Sequence, residues 1–129
     1  MARRPTNGPT EGELEILGVL WERGPSSARE VHEALSRERP TAATTTLKLM
    51  QIMVDKGLLD RDESQRPQVY RAAVTKERTE RKLIGNLLAR AFDGSAAQLV
   101  MRALSAHDAT PEELDRIRRL LDQMEESKS

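Results

Sequence analysis

Apolar residues recur along most of this chain at steps of three and four. Leu14, Leu17 and Trp21, with Ile16 and Leu20 beside them, form the first such face, the period of an amphipathic helix. It opens with "TEGE", where Thr10 and Glu13 have the spacing of a capping box. In that motif each side chain satisfies a backbone N–H of the other residue. "RGPSS" stops the run, and Ser27 with Glu30 makes a second box. The helix "AREVHEALSRER" follows, anchored by Ala28, Val31 and Leu35 and closed by Pro40, because the residue before a proline is pushed away from helical angles.

A third helix is expected from Thr41, suited to the N-cap, to about Lys56, with Gly57 as its C-cap. Leu47, Met50 and Val54 share a face and are expected in the core, with Met53 at its edge. Ala43, Thr44, Lys48 and Gln51 fall on the opposite side, flanked by Thr45, while Thr46 turns its methyl toward the core side. Leu58 and Leu59 then start one short strand and Val69 and Tyr70 belong to another, with the polar turn "DESQRP" between them. This reads as a β-hairpin.

After Thr75 the pattern turns to long helices. "KERTERKLIGNLLARAF" carries Leu83 and Leu87, Gly94 breaks it, and "SAAQLVMRALSAH" is shorter. The last helix opens on "TPEE", with Thr110 as N-cap, Pro111 at the first helical position and Glu113 completing a box. Its Leu114, Ile117, Leu121 and Met124 make a stripe too narrow to bury itself. The order predicts a mainly α chain with a small β-hairpin wing. We expect a flexible basic arm (1–9), a winged helix-turn-helix DNA-binding domain (10–74) and a helical dimerisation domain (75–129). Leu83, Leu87, Leu114, Ile117, Leu121 and Met124 are the expected dimer contacts.

Composition narrows the function. With 129 residues and 37% hydrophobic content, the chain can build small aliphatic cores, and such chains often finish burial by oligomerising. Lys+Arg and Asp+Glu are both 21, so a basic face must come from local clustering rather than net charge. There is no Cys, and His32 and His107 stand far apart in sequence. Neither a metal nor another cofactor is expected. Glu11, Glu13 and Glu15 read as solvated helix charges, and no His, Cys or Ser cluster has a catalytic spacing, so an enzyme is not expected. The longest apolar stretch is near "ILGVLW", far short of a membrane span. A cytoplasmic protein without direct membrane binding is the expectation.

Three threonines in a row are poor helix formers, yet "TAATTT" stands where the third helix begins. The second helix of a helix-turn-helix enters the DNA major groove by its N-terminal residues. That end must be slim and polar. Thr hydroxyls can donate to phosphates or base edges, and Thr methyls can meet a thymine methyl. Thr41, Ala43, Thr44, Thr45, Lys48 and Gln51 are therefore the candidate DNA contacts. Gln51 suits adenine, and Lys48 suits a guanine edge or a phosphate. Arg66, near the hairpin tip, reads as a phosphate ligand or as a solvated turn residue. A winged helix that binds protein instead of DNA is the alternative, favoured a little by zero net charge and the acidic "DRDES".

Together, "TEGELEILGVLWERGPSSAREVHEAL", "TTTLKLMQIMVDKGLL" and "RPQVYRAAV" resemble the penicillinase and methicillin-resistance repressor family. The most specific matches are Glu13 through Trp21, Ala28-Arg29-Glu30-Val31, Thr44-Thr45, Lys56-Gly57, and Arg66 with Tyr70. The resemblance implies a homodimeric repressor on dyad-symmetric operators of antibiotic-resistance or related stress genes. It also implies a partner, a membrane sensor protease that detects β-lactam and cuts the repressor in its dimerisation region. Relatives are cut after an Asn and before a bulky apolar residue; the corresponding bond here is about Arg102–Ala103. Ile52 falls where a basic residue is common, and the cysteines of the copper-responsive branch are absent.

Overall fold

A computed structural model describes residues 9–37 and 40–128. Their elements are α1 (Glu11–Arg23), α2 (Ala28–Ser36), α3 (Ala43–Asp55), β1 (Leu59–Asp62), β2 (Val69–Ala72), α4 (Lys76–Ala91), α5 (Ala96–Ala106) and α6 (Pro111–Lys128). Three helices, an antiparallel hairpin and three more helices reproduce the winged helix-turn-helix order read from the pattern. Of the expected basic arm, only Pro9 lies within the described residues, and Glu38 and Arg39 also lie outside them. The chain divides into two compact units, Met1–Asn86 and Leu87–Ser129.

In the first unit both predicted capping boxes form. Glu13 N–H donates to Thr10 Oγ1 at 3.2 Å and Thr10 N–H to Glu13 Oε1 at 2.9 Å. Glu30 N–H donates to Ser27 Oγ at 3.2 Å and Ser27 N–H to Glu30 Oε1 at 2.9 Å. The second helix stops at Ser36 rather than running on toward Pro40. No apolar residue follows Leu35 in "SRER", so a further turn has nothing to bury, and packing of an apolar face is what holds short helices.

The core is aliphatic but for one tyrosine: Ile16, Leu17 and Leu20 of α1, Val31 of α2, Met50 and Met53 of α3, Leu59 of β1, and Tyr70 of β2. In the hairpin, Leu59 pairs with Ala72, Arg61 with Tyr70 and Asp62 with Val69. Beyond the predicted hairpin, Ser26 in the α1–α2 connection pairs with Tyr70. Ser26 N–H donates to Tyr70 O at 3.0 Å, and Tyr70 N–H returns to Ser26 O at 2.8 Å. One residue carries no periodicity, so the pattern could not announce it. Trp21, half-buried, donates its Nε1–H to Val74 O at 2.9 Å and ties α1 to the chain leaving the wing.

The end of α3 follows from Gly57. Leu58 N–H reaches Met53 O at 2.9 Å and Gly57 N–H reaches Val54 O at 3.0 Å, the paired bonds of a Schellman motif. Gly57 has φ +83°, which a Cβ would penalise. Lys56 takes the C-cap position, one residue before the glycine expected there.

In the second unit Gly94, at φ +77°, sends its N–H back to Leu88 O at 2.8 Å and ends α4. Ser95 accepts from Gln98 N–H at 3.1 Å and starts α5. The Thr110–Glu113 box opens α6 with bonds of 2.9 and 3.1 Å. No described residue of this unit is buried. Leu114 and Ile117 are partly covered, whereas Leu87, Leu121 and Met124 stand exposed. Among the described residues no helix is long and apolar enough to cross a membrane.

Candidate nucleic-acid interface

Helix α3 is seated by a face different from the expected one. Thr46, Met50 and Met53 are buried, Leu49 and Val54 are partly covered, and Leu47 is 39% exposed. The expected Met50 is in the core and Val54 packs against it, but the face is rotated away from Leu47. The reason is Thr46, whose side chain is tolerated inside because its hydroxyl has a partner. Thr46 Oγ1 lies 3.3 Å from His32 Nδ1 of α2, and Ser36 Oγ lies 3.3 Å from the other ring nitrogen. A buried hydroxyl costs little once hydrogen-bonded. The expectation that Thr46 faces the core is met, with its hydroxyl as well as its methyl.

The N-terminus of α3 also differs. Ala42 occupies the N-cap position, and its own side chain makes no cap hydrogen bond. Thr41, expected there, is one residue too early and is exposed. Thr45 N–H bonds back to Ala42 O at 3.0 Å, and the N–H groups before it open the helix beside the exposed Ala43, Thr44 and Thr45. Lys48 and Gln51 are exposed farther along the outer side. Among the described residues Lys48 makes no ion pair. On the flanks, Leu47 and Ile52 are the exposed large apolar groups of this helix.

At the other end of α3, Lys56 Nζ donates to Glu13 Oε2 at 2.7 Å. Glu13 is 1% exposed, so it is not the solvated helix charge expected from its place among Glu11 and Glu15. Burial alone pushes its carboxyl pKa up. The hydrogen bond from Lys56, the Thr10 backbone N–H and the Lys56 charge together outweigh that, and the pKa lies below the ordinary glutamate value. One carboxylate thus caps α1 and anchors the C-terminus of α3.

The wing tip is polar and locally organised. Asp62 accepts from Ser64 N–H at 3.0 Å, Ser64 Oγ–H at 2.6 Å and Gln65 Nε2–H at 3.3 Å. These bonds, led by the Ser64 hydroxyl, hold its carboxyl below the usual aspartate range. Arg61 pairs with Glu63 at 3.1 Å, while Arg66 is exposed and makes no ion pair among the described residues. The expected cleavage pair, Arg102 and Ala103, sits exposed inside α5. Of the expected dimer contacts, Leu83 of α4 is half-buried.

A family model described as "Penicillinase repressor" matches residues 9–123. The transcriptional regulator BlaI of Mycobacterium tuberculosis is 30% identical over 117 residues, covering 88% of this chain and 84% of that protein. The methicillin resistance regulatory protein MecI of Mammaliicoccus sciuri is 21% identical over 112 residues, covering 87% of this chain and 91% of that one. Its counterpart in Staphylococcus aureus is 20% identical over the same length.

Proposed function

Because the chain belongs to the penicillinase repressor family, we propose that it is a DNA-binding transcriptional repressor, acting as a homodimer on dyad-symmetric operators. The observation that carries this reading is the outer strip of α3. Thr44, Thr45, Lys48 and Gln51 lie together and exposed beside a helix N-terminus whose N-cap residue, Ala42, contributes no side-chain bond. Such an end attracts phosphate, and an exposed cation next to it adds charge where the backbone would run. Arg66 on the wing supplies a second phosphate contact. Residues 10–74 read the DNA and residues 75–129 pair the chains.

The direct test is selection of bound duplexes from a random pool by the full-length protein, followed by a salt titration of the winner. Two cations per half-site, Lys48 and Arg66, give a slope of log K against log salt of about −4 for the dimer, since each neutralised phosphate contributes about −0.9. No binding at micromolar protein in low salt would replace this reading with a protein-binding winged helix.

Pairing of chains rests on a different observation, the exposed apolar side chains of the C-terminal helices. Leu121 and Met124 are 55% and 52% exposed on α6, and Leu87 is 43% exposed on α4. Apolar groups grouped on helix faces mark an association surface. Sedimentation equilibrium is expected to show a dimer at micromolar concentration, and Leu121→Asp with Met124→Asp to shift it to monomer. A wild-type monomer at high concentration contradicts the proposal. Release by cleavage at Arg102–Ala103 would cut α5 within itself and separate α6 from the rest of the chain, removing part of the pairing surface and tight operator binding with it.

A further inference from the structure

We propose that Leu47 reads the C5-methyl of a thymine in each operator half-site, so that it sets base preference there. The inference rests on the operator-binding reading above and adds a named base contact to it. Leu47 is 39% exposed, a large apolar side chain left outside the core. It stands four residues from both Ala43 and Gln51 and three from Thr44, and groups so spaced are neighbours on one helix surface. That surface is otherwise small or polar, and Ala43 leaves room for close approach beside it.

The chemistry selects the occupant. In the major groove each base pair presents hydrogen-bond donors and acceptors, and the one apolar group on offer is the thymine methyl. A leucine placed against a guanine or cytosine edge would displace water from polar atoms and return no bond. Against a thymine methyl it removes apolar surface from water on both sides. Position along the helix agrees, because Leu47 lies one turn inside the N-terminal end that enters the groove first. Ile52 is equally exposed, at 41%, but lies on the other flank of Lys48 and farther from that end.

The experiment uses the duplex selected by the full-length protein and replaces each thymine in turn with deoxyuridine, which deletes only the methyl. Wild-type protein is expected to lose affinity about fourfold at one thymine of each half-site, and roughly fifteenfold when both are replaced, the worth of one buried carbon per site. Leu47→Ala is expected to bind the thymine duplex more weakly and to be indifferent to uridine at that position. Leu47→Met, which keeps apolar reach, should retain the discrimination. Wild-type binding unchanged at every uridine position overturns the inference. So does Leu47→Ala that remains as sensitive as wild type at the same thymine. A selection that enriches no duplex overturns it together with the repressor reading, whereas enrichment without methyl sensitivity leaves that reading standing.

Discussion

Glu13→Ala is expected to lower the stability of the first unit by roughly 2–4 kcal/mol, far more than any other carboxylate-to-alanine change on α1. Two losses combine. The capping box at Thr10 opens, which costs about 1 kcal/mol. The hydrogen-bonded ion pair with Lys56 disappears, and a charge-assisted bond contributes about 1.5–3 kcal/mol. Glu11, exposed on the same turn, should change stability by less than about 0.5 kcal/mol when replaced by alanine. Urea melts of the two variants decide this, and equal midpoints would refute the anchoring role of Glu13.

Acid adds an independent check with a fixed sign. The folded pKa of Glu13 is depressed below its ordinary 4.5. Its contribution is therefore complete above the unfolded value and is lost as pH falls through the folded one. The stability gap between wild type and Glu13→Gln should be widest near neutrality and shrink below about pH 4. A gap independent of pH would mean that the charge of Glu13 contributes nothing.

Thr44→Ala combined with Lys48→Ala is expected to weaken operator binding by at least about thirtyfold while leaving the melt unchanged. Each lost base or phosphate contact costs about 1–3 kcal/mol, and every 1.4 kcal/mol is tenfold in Kd. Both side chains are exposed and neither joins the core, so stability should move by no more than about 0.5 kcal/mol. Lys48→Ala alone should reduce the magnitude of the salt slope by about two for a dimer, one per half-site. Undiminished binding by the double variant in a gel-shift titration removes the outer strip of α3 as the reading surface.

Element order and most helix starts were legible because they rest on local signals. The capping boxes at Thr10, Ser27 and Thr110, and the glycines at 57 and 94, act within a few residues of where they stand. What escaped the sequence is long-range. Glu13 and Lys56 are 43 positions apart, and Trp21 and Val74 are 53 apart; no spacing rule links such partners. The misplaced face of α3 has a similar origin. Hydropathy alone counts threonine as polar and leucine as buried, but His32 supplies the bond that lets Thr46 go inside, and Leu47 is displaced to the surface. The outer positions of Thr44, Thr45, Lys48 and Gln51 survived that error because they lie on the side away from the rotated face.

Ser26 has a bearing on how copies of this chain can meet. By pairing with Tyr70 it occupies, at that residue, the side of β2 that β1 leaves open, and among the described residues no strand pairs with the outer edge of β1. That strand reads Leu-Asp-Arg-Asp, four residues of which three are charged. Short, charged edges resist the addition of a further strand. Sheet extension between copies of this chain, and the runaway polymer it would seed, is thereby discouraged.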